Sequence, residues 1–326
     1  MTTSAPTPNL ETDVIIVGAG PVGLACAIEV GRTGKRCLVV DKGALVNSLT
    51  GYPTNMEFFS TPDLIEIGGY PLVSSRYKPI REEAIDYYRR VASKEKLRLL
   101  LYESVEDLSG EKENFTIKTS KRTISCKAVV IATGFFDQPN LLNIPGEDLP
   151  HVSHYFREAF TFTGRNVCIV GAKNSAALAA LQCHRRGAHV TMIIRGEQVG
   201  PNVKYWIRPD LMNRIEEGSI NALFNSTITH IRESEVDIQS PEGAKTLSCD
   251  VLLALTGYHP DYTLLKKLSV DIADDHAATP LYNEETFESS RPGVFLAGTV
   301  CGGRHTSRWF IENGRHHAKC IANALA

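Results

Sequence analysis

The chain has eight cysteines in 326 residues, yet no two are spaced as C-x-x-C. That absence excludes a zinc ribbon and a thioredoxin-type redox pair. Cys37, Cys126, Cys168 and Cys249 fall in or beside apolar, strand-like runs, where a buried free thiol behaves as a small hydrophobe. His151/His154 and His316/His317 lack carboxylates or cysteines at ligand spacing, so no metal is expected. Charge of one sign is also missing. The net charge of −2 offers no basic surface for nucleic acid or an anionic membrane. No stretch approaches the roughly 18 apolar residues that a membrane span needs. Residues 1–12 are rich in Thr, Pro and Ser, with neither a basic start nor an apolar run, and read as a tail rather than a signal peptide. A cytoplasmic address is expected, and reduced thiols suit it.

What is present is a pair of nucleotide-binding turns. The first runs Val14–Val17, then Gly18-Ala-Gly20-Pro21-Val22-Gly23, an apolar helix, and a strand ending at Asp41. The second runs Val167–Val170, then Gly171-Ala-Lys173-Asn174-Ser175-Ala176, a helix, and a strand ending at Arg195. Both copies are strand, tight turn, helix, strand, with nearly equal internal spacing. At the end of the last strand an acid accepts hydrogen bonds from an unphosphorylated ribose, whereas an Arg pairs with a 2′-phosphate. Asp41 therefore predicts the adenosine end of FAD, and Arg195 predicts NADPH. A chain holding both predicts a flavoprotein oxidoreductase. Lys173 stands where the middle Gly lets backbone approach pyrophosphate; its side chain could hold phosphate instead, or it could be a solvated Lys on a degenerate turn.

The expected fold is α/β: two Rossmann-like, doubly wound, three-layer domains, with the NADPH domain (138–265) inserted into the FAD domain (1–137 and 266–326). Helical apolar spacing covers 80–96, and strand-like runs cover 97–102, 115–119, 127–133, 227–232, 236–239 and 250–256. The stretch 135–163 reads as a crossover. Near the C-terminus, Gly293–Gly298 leads through Gly302-Gly303 into a helix expected to run to the end. Its N-terminus either carries partial positive charge to the flavin pyrimidine ring or simply packs over a sheet.

The order of Gly18–Gly23, Ala132-Thr133-Gly134, Gly171–Ala176 and Val294–Gly298 resembles low-molecular-weight, thioredoxin-reductase-like flavoproteins. Within that group the strings Thr54–Thr61, Ile67–Gly69, Lys204–Asp210 and Phe310–Arg315 resemble the bacillithiol disulfide reductases. The resemblance implies an FAD enzyme that uses NADPH to reduce a small-molecule disulfide, and a homo-oligomer, dimer or tetramer. It places FAD on Gly18, Gly20, Pro21, Val22, Gly23, Asp41 and Lys42, with Thr50, Asn55, Thr133, Gly134, Gly298 and Thr299 towards the ring. It places NADPH on Gly171, Lys173, Asn174, Ser175, Ala176 and Arg195, with Lys204, Arg208, Thr256 and Gly257 around it. Two departures stand out: the family's usual Cys after the motif Pro is Val22, and Thr299 replaces the Asp of thioredoxin reductases. Cys26 and Cys301 are the remaining candidates for a relay thiol. The alternatives are a flavin monooxygenase, or an NADPH-dependent electron donor to ferredoxin or another redox partner.

Overall fold

Strand Val14–Val17 is buried at all four positions, as is Ala128–Ile131. Strands covered on both faces read as continuous apolar runs, and such runs belong to parallel sheets. The computed structural model, which describes residues 10–326, bears this out. Five parallel strands lie in the order Val294–Leu296, Ala128–Ile131, Val14–Val17, Cys37–Val40, Leu99–Leu100. Helix Pro21–Arg32 follows the first turn, with Gly20 as N-cap and Pro21 at its first position. Proline suits that position because its missing N–H would have no helical partner there anyway. The helix buries Leu24, Ala25, Ile28 and Val30 and packs along the terminal helix His317–Leu325. A four-stranded sheet, in the order Leu10–Glu11, Thr123–Cys126, Asn114–Thr119, Val105–Glu111, completes this unit.

The second unit repeats the design. Its five parallel strands run Asn221–Leu223, His189–Ile193, Asn166–Val170, Val251–Ala254, Val152–Ser153. An antiparallel sheet of Thr227–Ile231, Glu235–Ser240 and Gly243–Ser248 accompanies it. Cys168, Ile193, Ile228, Ile231, Cys249 and Leu252 share its core. The chain thus holds two α/β nucleotide-binding folds, one inserted into the other. The compact units are Met1–Thr50, Asn55–Gln138 and Tyr258–Ala326 on one side, and Gly51–Thr54 with Pro139–Gly257 on the other. Tyr258 lies with the first unit, where its ring stacks on Phe135 at 6.4 Å and tilts against Phe136 at 5.0 Å.

Three expectations need correction. The tail does not extend to Thr12: Leu10–Glu11 is a strand beside Thr123–Cys126, and buried Thr12 donates its hydroxyl to the Arg36 carbonyl at 2.7 Å. Its first nine residues lie outside the described ones. Nor does a single helix follow Gly303. Arg304 N–H is tied to the Ala277 carbonyl at 2.7 Å, and helix begins only at Ile311–Gly314, followed by His317–Leu325. The run 135–163 is also more than a crossover, since Val152–Ser153 is the edge strand of the second parallel sheet.

Candidate active site

The first glycine turn is built from backbone crowding. A Cβ on Gly18, whose φ is +113°, would lie 2.4 Å from the Ala132 carbonyl oxygen. One on Gly23 would lie 2.0 Å from the Gly18 carbonyl oxygen. Gly20 is the opposite case, because its Cβ would meet nothing within 4 Å. Two glycines close the turn and the third keeps clear space above it. Asp41 anchors the same turn, accepting from Ala19 N–H and Gly43 N–H, each at 2.7 Å. Burial nevertheless raises its pKa. Each carboxylate oxygen keeps a lone pair for a ribose hydroxyl. Open space over Gly20 together with this acceptor fits the adenosine diphosphate end of FAD.

The other residues expected at this site divide. A Cβ on Gly134 would touch Thr299 Oγ1 at 3.4 Å, and one on Gly298 would touch Val22 at 3.1 Å, so these four adjoin. Thr133 follows Ala132, against which Gly18 closes. Lys42 is ion-paired with Asp137. Thr50 binds the Asn47 carbonyl through its hydroxyl and takes Arg81 on its own carbonyl, while Asn55 is exposed. Cys26 and Cys301 are both 0% exposed, and burial pushes each thiol far above its ordinary range. Neither carries the thiolate character that disulfide exchange requires.

In the second unit, Gly171 has φ +134° and its Cβ would lie 2.6 Å from the Leu255 carbonyl oxygen. Ala176 is packed beneath that turn, Ser175 and Lys173 are exposed, and Lys173 is the N-cap of helix Asn174–Arg185. Asn174 Oδ1 accepts from Lys204 N–H at 2.9 Å, which brings the 200–208 segment to the turn. Arg195 is exposed beyond strand His189–Ile193. Arg208 begins helix Arg208–Glu216, and its buried Nε has no partner among the described residues. Thr256 donates to the Asn140 carbonyl at 2.6 Å, and Gly257 accepts from Asn140 N–H at 2.9 Å. No group of three or more His, Cys, Asp or Glu suited to a metal occurs among the described residues. No described helix is long and apolar enough to cross a membrane.

Several residues at the first site carry no local signal in the sequence. His317 Nδ1 accepts from Gly298 N–H at 3.1 Å, so the ring proton belongs on Nε2. Its ring stacks on Phe287 at 3.9 Å and meets Trp309 edge-on at 4.3 Å. Burial first, then His316 and Arg308, lower its pKa from 6.5 to about 4. The unfolded chain therefore binds a proton in this window that the folded chain refuses. Stability should fall as pH drops from 6.5 towards 4, by up to about 3 kcal/mol. His317→Gln should be less stable at neutral pH yet show a flatter decline in urea melts between those limits. Parallel declines in the two proteins would contradict this assignment. Glu312 and Arg315 are further cases: Glu312 accepts from the Ser60 hydroxyl at 2.6 Å, and Arg315 donates to the Asp63 and Glu66 carbonyls at 2.7 Å.

Comparison with known proteins places these features in a family. Residues 15–298 match the family described as pyridine nucleotide-disulphide oxidoreductase. The chain is 40% identical over 319 residues to bacilliredoxin reductase Bdr of Bacillus subtilis (strain 168), covering 97% of this chain and 98% of that protein. Among solved structures it superposes on the bacillithiol disulfide reductase of Staphylococcus aureus with a TM-score of 0.93 and 38% identity, covering 97% and 98% of the two chains. Thioredoxin reductase from T. acidophilum shares the fold, with a TM-score of 0.75 at 20% identity and 97% of each chain covered. With residues 15–298 matching that family and a 40% identical relative covered over nearly its whole length, the chain belongs to the pyridine nucleotide-disulphide oxidoreductase family.

Proposed function

We propose that this chain is an FAD enzyme that takes reducing equivalents from NADPH and delivers them to a low-molecular-weight disulfide of the bacillithiol type. One observation carries the reading: the two glycine turns of a single chain end on opposite ribose readers, Asp41 and Arg195. The disulfide class is supported by the relatives named for bacillithiol disulfide and bacilliredoxin. FAD, when bound, supplies a two-electron relay between nicotinamide and disulfide. The chain's own residues bind and orient. Asp41 takes the ribose of FAD, Gly20 leaves room for its pyrophosphate, and Gly134, Gly298 and Thr299 line the approach to its ring. Asn174 holds the Lys204 segment over the second turn, where Arg195, Lys204 and Arg208 offer cations to the 2′-phosphate. Eight free cysteines suit a reducing, cytoplasmic compartment, and a homo-oligomer is proposed for the assembled enzyme.

The test is anaerobic NADPH oxidation with oxidised bacillithiol, a bacilliredoxin mixed disulfide, ferredoxin and, in a separate aerobic arm, oxygen. Turnover with the first and not the others supports the reading; turnover confined to ferredoxin or oxygen replaces it. Arg195→Ala should raise KM for NADPH about 10- to 150-fold, the value of a lost charge-assisted hydrogen bond of about 1.5–3 kcal/mol. NADH use should barely change. A wild type that uses both nucleotides equally would remove Arg195 from this role.

A further inference from the structure

The chain between strand His189–Ile193 and helix Arg208–Glu216 sorts its side chains by exposure. Val199, Val203 and Ile207 are buried, whereas Tyr205 is 82% exposed and Trp206 42%. A lone surface aromatic needs no explanation, but two adjoining rings held out beside a ligand-binding turn do.

The surroundings of the pair say what covers it. Three hydrogen bonds tie this stretch to the Gly171–Ala176 turn. Gly200 N–H donates to the Ala172 carbonyl at 3.0 Å, Asn174 Nδ2 to the Asn202 carbonyl at 3.4 Å, and Lys204 N–H to Asn174 Oδ1 at 2.9 Å. Arg195 leaves the neighbouring strand at the same carboxyl end, where Gly171 N–H meets the Ile193 carbonyl at 3.2 Å. Turn, ribose reader and aromatic pair therefore share one edge of the 139–257 unit. An adenine base is bonded to C1′ of its ribose, next to the C2′ that carries the phosphate of NADPH. A sugar whose 2′-phosphate lies on Arg195 consequently holds its base at this same edge.

The two rings form a corner. Tyr205 and Trp206 stand at 90° with centroids 4.8 Å apart, and the Lys204 ammonium lies 5.7 Å from the Trp206 ring centre. A perpendicular neighbour covers at most one face of Tyr205, so the other stays open to a planar group. Buried Val203 and Ile207 pin the backbone on both sides of the pair.

We propose that Tyr205 is the base-stacking residue of the NADPH site, taking the adenine ring on its open face while Trp206 buttresses it as a positioning residue. The assignment rests on the NADPH reading given above. It divides the work within that site. Arg195 reads the 2′-phosphate and so separates NADPH from NADH, whereas Tyr205 grips a base that both nucleotides carry and does not discriminate between them.

The experiment uses the FAD-loaded full chain and reads binding apart from turnover. Calorimetry with 2′,5′-ADP, which carries the adenine and the 2′-phosphate but no nicotinamide, gives Kd directly. Tyr205→Ala should weaken that binding about 5- to 150-fold, the range of one base–aromatic stack, and Tyr205→Phe should restore it. Because Tyr205 is exposed, neither substitution disturbs a packed core. In anaerobic rapid mixing at low nucleotide, Tyr205→Ala should slow flavin bleaching by the same factor for NADPH and NADH, whereas Arg195→Ala should strike NADPH alone. The assignment is overturned if Tyr205→Ala binds 2′,5′-ADP within about twofold of wild type, or if its loss falls on NADPH and spares NADH. It is equally overturned if light scattering shows Tyr205→Ala altering the oligomeric state while that Kd holds, since a second copy of the chain would then cover the pair. A wild type that binds no 2′,5′-ADP, and whose flavin neither nucleotide bleaches, overturns the NADPH reading itself and this assignment with it.

Discussion

Gly20→Val is expected to give a folded, colourless protein. Gly20 has φ −73° and ψ 172°, an extended conformation that valine adopts freely, and its Cβ direction meets no protein atom within 4 Å. The substitution should therefore leave thermal stability and circular dichroism nearly unchanged. The space it fills is where the FAD pyrophosphate must approach the backbone. Overpacking costs about 1–3 kcal/mol, so FAD affinity should fall on the order of 10- to 100-fold. Gly23→Ala is the informative contrast, because its Cβ would stand 2.0 Å from the Gly18 carbonyl oxygen. That variant should lose stability before it loses cofactor. Flavin absorbance after desalting separates the two: full occupancy in folded Gly20→Val would move FAD away from this turn.

The different fates of these glycines show what sequence can carry. The turn at Gly18–Gly23 is local: strand, turn and helix are contiguous, so the apolar run, the glycine spacing and the terminal Asp41 all fall within one stretch. The same holds for Gly171–Ala176 with Arg195. Parallel strands were legible because burial on both faces leaves an unbroken apolar run. What was not legible depends on partners far away along the chain. His317 reads as one half of a His pair; its role follows from Gly298 N–H and from Phe287 and Trp309, which the fold brings to it. The Glu312–Ser60 bond joins residues 252 apart. The terminal helix was expected too early because the tether from Arg304 to Ala277 is a tertiary contact that leaves no mark on helical periodicity.

Val22→Cys is expected to raise disulfide turnover on the order of tenfold or more, about 1.4 kcal/mol of barrier, while leaving the rate of flavin bleaching by NADPH unchanged. Val22 is the second residue of helix Pro21–Arg32 and is 8% exposed, packed so that a Cβ added to Gly298 or Gly314 would lie 3.1–3.3 Å from its side chain. A thiol there would sit in the first turn of a helix, where the aligned N–H groups lower its pKa and favour the thiolate. Valine has no nucleophile, and the thiols nearest in role cannot replace it. Cys26 and Cys301 are fully buried and pushed towards the neutral thiol, so Cys26→Ser and Cys301→Ser should each change disulfide turnover less than about twofold. Rapid-reaction traces distinguish the cases, because the two half-reactions are read separately. If wild type already reduces the disulfide as fast as NADPH bleaches the flavin, and Val22→Cys adds nothing, no relay thiol is needed and electrons pass to the disulfide directly. If Cys301→Ser or Cys26→Ser abolishes turnover, a buried thiol must become exposed during catalysis, which the packing described here opposes.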